Sequence, residues 1–190
     1  PENLILSRDG YLRLIDFGLA KFIGPGERTH TFCGTPLYLA PEVWTGKGHD
    51  SAVDCWALGC LTLEMVSGGA VPFTAKSGVD LRAKILRSEP VVPASFPTSL
   101  RELIAGLLEK NPNRRLGTRR GGIEEIKRQT WFKGLNWDAI GRREIAPPLK
   151  PDLDVAPNVE KEVGVDRNDR KLVPPRYRAC PDYGEYFPDF

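Results

Sequence analysis

The chain has 190 residues, 41% of them apolar, and a formal net charge of +2. That length suits one domain with a core of its own, or one lobe and a tail. So small a charge gives no argument for nucleic acid or membrane as a partner.

No run approaches the roughly 18 apolar residues that a membrane-crossing helix needs. Pro1-Glu2-Asn3 shows neither the basic nor the apolar part of a secretory leader. No Met opens the sequence, so a missing amino-terminal portion is expected. Cys33, Cys55, Cys60 and Cys180 have neither CxxC spacing nor the density of a disulfide scaffold, and read as reduced thiols. Cys55 and Cys60 fall in an apolar helical stretch and are expected in the core, with Cys33 more accessible.

In chain order, Asn3 to Ile15 reads as a hairpin. Leu4-Ile5-Leu6 and Tyr11 to Ile15 are strand-like, and Arg8-Asp9-Gly10 supplies the turn. Gly18 to Pro41 is rich in Gly, Thr and Pro without a period and reads as a long loop, which inside a compact domain is usually functional. From Ser51 to Ser67 apolar residues recur at three and four, predicting a helix buried on most sides. Asp50 or Ser51 can cap its start, and Gly68-Gly69 can stop it. Further helices are predicted over Gly78–Leu86, Ser99–Leu108 and Ile123–Gln129, with Ser99 and Glu102 spaced as a capping box. Residues 101–143 carry 11 Lys/Arg against five Asp/Glu, interspersed with apolar residues, which reads as a solvated face rather than a nucleic-acid site. Eight of the 17 prolines fall between Glu144 and Phe190. That segment cannot hold a regular helix, and its terminal aromatics point to an extended tail docked on a surface.

Pro1-Glu2-Asn3, a strand pair, Asp16-Phe17-Gly18, Gly34-Thr35-Pro36, Ala40-Pro41-Glu42 and Asp54 to Gly59 follow one another in order. Each tripeptide alone is weak. As an ordered set they resemble the protein-kinase signature. Thr29 to Pro36, Gly46-Lys47-Gly48-His49-Asp50, Arg115-Leu116-Gly117, Trp131-Phe132 and Gly134 to Trp137 narrow the likeness. They resemble the AGC group of Ser/Thr kinases, closest to the cGMP-dependent kinases, with the cAMP-dependent ones next.

The resemblance implies a mainly α fold: a kinase C-lobe with a short β-hairpin and an extended tail, α+β in the complete domain. Residues 1–132 would be the C-lobe and 133–190 the tail. It also implies transfer of the ATP γ-phosphate to Ser or Thr, with Mg2+ held by Asn3 and Asp16. Phe17 would pack inward and set whether Asp16 faces the metal, while Gly18 would allow the switch. Thr31 would be the activation-loop phosphosite, the plain alternative being that Thr29 and Thr31 are solvated hydroxyls. Thr35 would touch the catalytic aspartate. Glu42 and Arg115 would form a buried ion pair, and Asp54 would accept hydrogen bonds from the catalytic loop.

Glu2 and Glu64 would grip an arginine of a basic protein substrate, with Phe32, Pro36 and Leu39 lining an apolar pocket for the residue after the acceptor. Phe187 and Phe190 match a terminal motif that docks on the N-lobe of the same kinase. Three features depart from the pattern: Leu37 replaces a usual Glu, Gly69 to Phe73 is one residue longer, and Pro157-Asn158-Val159-Glu160 lacks an aromatic residue. The Gly-rich loop, the ATP-anchoring lysine and His-Arg-Asp do not occur in these residues, so the chain alone is not expected to catalyse. A missing N-lobe and cyclic-nucleotide-binding regulatory domains are the implied partners, in the cytoplasm. The alternatives are cAMP-dependent or other AGC regulation, and a non-catalytic kinase-like binding protein.

Overall fold

Strands β1 (Leu4–Leu6) and β2 (Leu12–Leu14) pair antiparallel with Leu4 opposite Leu14. These and all other elements come from a computed structural model, which describes residues 1–149. The turn between the strands is closed by Gly10 N–H donating to the Ser7 carbonyl at 2.8 Å, and Gly10 takes φ +84°. Asp9 accepts from the Ser7 hydroxyl and from the Tyr11 N–H, at 3.2 Å for the latter. An acidic side chain bonding its own backbone in this way is what makes Asp a turn residue.

The long loop is not wholly irregular. It contains a short 310 helix, Pro36–Tyr38, and Thr29 bridges His49 with both backbone hydrogen bonds at 2.9 Å. Helix α1 (Pro41–Trp44) follows with Pro at its first position, where a missing N–H costs nothing.

Helix α2 (Ala52–Ser67) starts on the Asp50 carboxylate, which accepts from Ala52 N–H at 2.9 Å. Ser51 makes no side-chain cap, so of the two candidates Asp50 serves. Gly68 ends the helix in the left-handed region at φ 73°. Burial is narrower than expected. Trp56, Gly59, Cys60 and Leu63 are buried, whereas Met65 is 56% exposed.

Helix α3 (Gly78–Arg87) is capped by Ser77, whose hydroxyl accepts from Asp80 N–H at 3.1 Å. Helix α4 (Thr98–Leu107) carries no side-chain cap, so the expected Ser99–Glu102 capping box does not form. Pro97 occupies the cap position and starts the helix early, which leaves Ser99 inside its first turn. Helix α5 (Ile123–Lys127) closes sooner than predicted, Gln129 N–H turning back to the Ile126 carbonyl at 3.0 Å. Helix α6 (Trp137–Gly141) completes the set.

The core lies between α2 and α4. Leu103, Leu107, Leu116 and Ile126 cluster there, with Cys55, Leu58 and Phe132 packed against them. Gly59 permits the approach: a Cβ there would stand 2.9 Å from the Leu107 Cβ. The described chain divides into two compact units, one of Pro1–Gly18 with the residues from Asp138 onward, the other Leu19–Trp137. The expected docked tail, including Phe187 and Phe190, lies outside the described residues, as does Cys180.

Candidate active-site residues

In the hairpin unit, the strand register carries two oxygen donors to one end. Ile15 N–H donates to the Asn3 carbonyl at 2.9 Å, so Asn3 lies across from Ile15 and next to Asp16. Asp16 has φ 63°, a left-handed conformation that is uncommon outside glycine. Its carboxylate helps hold that turn, Oδ1 accepting from Gly18 N–H at 3.0 Å. Glu2, Asn3 and Asp16 are all exposed.

Two neighbouring oxygen donors, open to solvent, suit a hard cation completed by phosphate oxygens, and this donor set fits Mg2+ with a nucleotide. Among the described residues no group of three or more His, Cys, Asp or Glu side chains is placed to hold a metal unaided. Phe17 does not pack inward. It is 68% exposed, because a two-stranded sheet leaves little apolar surface to cover it. The left-handed turn residue is Asp16 rather than Gly18.

In the helical unit, Thr29 is 7% exposed and Thr31 is exposed. Thr29 is therefore not a solvated hydroxyl. Its Oγ1 accepts from the Lys21 ammonium at 3.1 Å and lies 3.3 Å from the Thr31 hydroxyl. Phe32 is half-buried edge-on to Trp44, ring centres 5.5 Å apart. Thr35 is exposed and makes no side-chain cap to the 310 helix that begins at Pro36. Leu39, expected on a pocket wall, is 7% exposed and belongs to the core. Phe32 and Pro36, expected to line the same pocket, are half-buried, and Leu39 N–H donates to the Pro36 carbonyl at 3.3 Å.

Glu42 and Arg115 meet in two parallel bonds. Arg115 Nη1 donates to Oε1 at 2.6 Å and Nη2 to Oε2 at 2.8 Å. Arg115 is fully buried, and its other donors are used as well: Nη1 reaches the Ala52 carbonyl at 2.8 Å and Nε the Glu109 carbonyl at 2.9 Å. Its guanidinium also lies 5.2 Å from the Trp56 ring centre. The planar fork matches the carboxylate, which is why Arg and not Lys suits this position.

Glu64 accepts from the Tyr38 hydroxyl, tying α2 to the 310 helix. Asp54 is exposed on the first turn of α2, and partial desolvation raises its carboxyl above the ordinary range. Burial lowers the His49 imidazole, against the opposing pull of Glu42 and Asp50. Burial pushes the Cys60 thiol up to about 12.

Three partners were not marked in the sequence. Lys21 carried only its loop position. Tyr38 had no spacing signal toward Glu64. Lys110 lay within the basic stretch read as solvated, yet its ammonium sits 4.7 Å from the Phe73 ring centre and donates to the Ile85 carbonyl at 2.7 Å. Among the described residues no helix is long and apolar enough to cross a membrane.

Residues 1–132 match the family described as protein kinase domain. The chain is 45% identical over 158 residues to cGMP-dependent protein kinase 2 of Mus musculus, covering 80% of this chain and 20% of that protein. It is 44% identical over 153 residues to the cAMP-dependent protein kinase catalytic subunit PRKX of Mus musculus, covering 80% of this chain and 42% of that protein. It is 42% identical over 153 residues to the serine/threonine-protein kinase AtPK1/AtPK6 of Arabidopsis thaliana, covering 80% and 32%. The chain thus spans well under half the length of these relatives. A family match over 132 of its 190 residues, with relatives of this identity, means that the chain belongs to the protein kinase domain family.

Proposed function

We propose that residues 1–132 form the C-lobe of a Ser/Thr kinase that transfers the ATP γ-phosphate to basic protein substrates, with residues 133–190 as its tail. The observation that carries this reading is the strand register, which sets Asn3 opposite Ile15 and so brings Asn3 and Asp16 to the open end of the hairpin. Magnesium, when bound, neutralises phosphate charge, and phosphoryl transfer asks mainly for such neutralisation and for positioning. Asn3 and Asp16 would hold the metal by their side-chain oxygens. Thr31 would carry an activating phosphate, which brings about −1.5 to −2 charge; Lys21, one hydroxyl away through Thr29, is the nearby cation that supports this. Glu64 would receive a substrate arginine, and its bond to Tyr38 fixes the carboxylate beforehand. Thr35, exposed beside the 310 helix, would help place the acceptor hydroxyl. Glu42 and Arg115 would tie the activation segment to the late helices.

Regulation by cGMP is the finer proposal, supported by the likeness to cGMP-dependent protein kinase 2, against a comparable likeness to a cAMP-dependent catalytic subunit. The test is phosphate transfer from ATP to an Arg/Lys-rich peptide by the full-length protein, with and without cGMP or cAMP. Asp16→Ala is expected to lower the rate at least about a hundredfold, since metal charge neutralisation supplies several kcal/mol. Equal rates for the variant and the parent would sink the catalytic reading.

A further inference from the structure

A cavity of about 300 Å³ opens among Arg28, Glu42, Lys47, Gly48, Asn111 and Asn113, apart from every residue assigned to phosphate transfer or substrate above except the buried Glu42. Three stretches far apart in sequence meet there, and each is held from behind. The Thr29–His49 backbone bonds, both 2.9 Å, set Arg28 against Gly48, where a Cβ would stand 3.3 Å from the Arg28 Cβ. The Asn111 side chain accepts from Asn113 N–H at 3.0 Å, and its carbonyl accepts from the N–H groups of Arg114 and Arg115, both at 3.0 Å. The far wall is thereby a fixed turn rather than a loose loop.

The charges around the cavity are unequal. Both Glu42 oxygens are taken by Arg115. The Lys110 ammonium, though Lys110 also lines the cavity, is engaged by the Ile85 carbonyl and the Trp56 and Phe73 rings. Arg28 and Lys47 are exposed and make no ion pair among the described residues. The free charge at the rim is therefore positive, over a preorganised wall. A cavity at the small end of the range for ligand sites holds a side chain or two rather than a cofactor.

We propose that this cavity docks an acidic segment of a partner protein, one anionic side chain entering between Arg28 and Lys47. Complementary charge at such a rim selects the partner and speeds encounter. Arg28 adjoins Thr29 and lies three residues before Thr31, so an occupied cavity tethers the stretch that precedes the proposed phosphosite.

The experiment is fluorescence anisotropy on the full-length protein with three labelled hexapeptides: Asp/Glu-rich, its phosphoserine counterpart, and its Asn/Gln counterpart. At least one anionic peptide is expected to bind saturably and to weaken as salt is raised. The first two arms distinguish a carboxylate from a phosphate. Arg28→Glu and Lys47→Glu are each expected to weaken binding about fivefold, while Lys76→Glu, an exposed charge outside the cavity, leaves it unchanged. Thermal unfolding accompanies each variant; should Arg28→Glu unfold, Lys47→Gln is still expected to weaken binding. Equal binding of the Asn/Gln peptide, no saturable binding, or equal loss on Lys76→Glu would overturn the proposal. Binding is read without ATP, so its failure leaves the phosphate-transfer reading untouched.

Discussion

Arg115 illustrates how much one buried residue can hold. Its guanidinium joins α1 through Glu42, the start of α2 through the Ala52 carbonyl, and the turn after α4 through the Glu109 carbonyl. Arg115→Met leaves the Glu42 carboxylate buried without its partner, and is expected to cost about 3–5 kcal/mol. Urea unfolding of the protein checks this, and a loss below about 1 kcal/mol would refute the tie. Adding Glu42→Leu to Arg115→Met is expected to recover part of the loss, since the orphaned charge is then gone. Cys60 gives a pH signature of its own. Burial favours its neutral thiol, raising it from 9.0 to about 12 in the folded chain. The unfolded chain therefore releases that proton first as pH rises. Stability from this group is complete below pH 9 and falls between pH 9 and about 12. Melting temperature followed up that range should fall less steeply in Cys60→Ala than in the parent, and parallel curves would contradict the assignment. Arg115 and Glu42 were legible in the sequence only through motif order, because 73 residues separate them and no local period links them.

At the scale of elements, period and caps explain what was legible. Helix α2 announced itself by apolar spacing and by Asp50 and Gly68 at its ends. The Ser99–Glu102 spacing misled because Pro97, with φ −53° and ψ 144°, already sets the entry geometry of α4. The expected start at Gly78 agrees with α3, and Ser77 just before it supplies the cap. These caps can be told apart by mutation. Ser77→Ala is expected to cost about 1 kcal/mol, the usual worth of an N-cap. Ser99→Ala is expected to stay within about 0.5 kcal/mol, as an ordinary surface change does. Thermal unfolding of the two variants decides it, and equal losses would mean that α4 relies on Ser99 after all. The Thr29–His49 bridge was invisible for a different reason: two isolated backbone bonds across a loop leave no side-chain pattern. His49 nevertheless makes the bridge addressable by pH. Burial disfavours its charged form, with His30 and Lys21 adding to that effect and Glu42 and Asp50 opposing it. Its lowered folded value means that stability is complete above pH 6.5 and is lost as pH falls below it. His49→Asn should flatten that acid limb in a melting-temperature series, and an unchanged limb would exclude His49 as its source.

At the scale of the whole molecule, chain order and spatial grouping part company. The hairpin and the described residues from Asp138 onward make one compact unit, though 119 residues of the other unit separate them in sequence. Composition could mark the proline-rich end but not what its first part touches. The contacts are specific. The Tyr11 hydroxyl donates to the Ile145 carbonyl at 2.9 Å, Arg143 lies 5.1 Å over the Tyr11 ring, and Asp9 pairs with both Arg13 and Arg143 at 3.5 Å. These are exposed polar contacts, individually worth little. Close backbone packing at Gly10 is therefore the stronger restraint. A Cβ there would collide with the Leu149 carbonyl and come 2.8 Å from the Pro147 Cβ, at φ +84°, where an L-residue is strained in any case. Gly10→Ala is thus expected to loosen both partners at once. Hydrogen exchange should quicken in 4–14 and in 142–149 together, while the amides of α2 and α4 keep their protection, because that core lies within the other unit. Faster exchange in the hairpin alone would show that the 142–149 segment is held by its own turn instead. Unchanged exchange in both would show that the turn relaxes around the new methyl group, and that the contacts of Tyr11 and Arg143 suffice to keep the unit together.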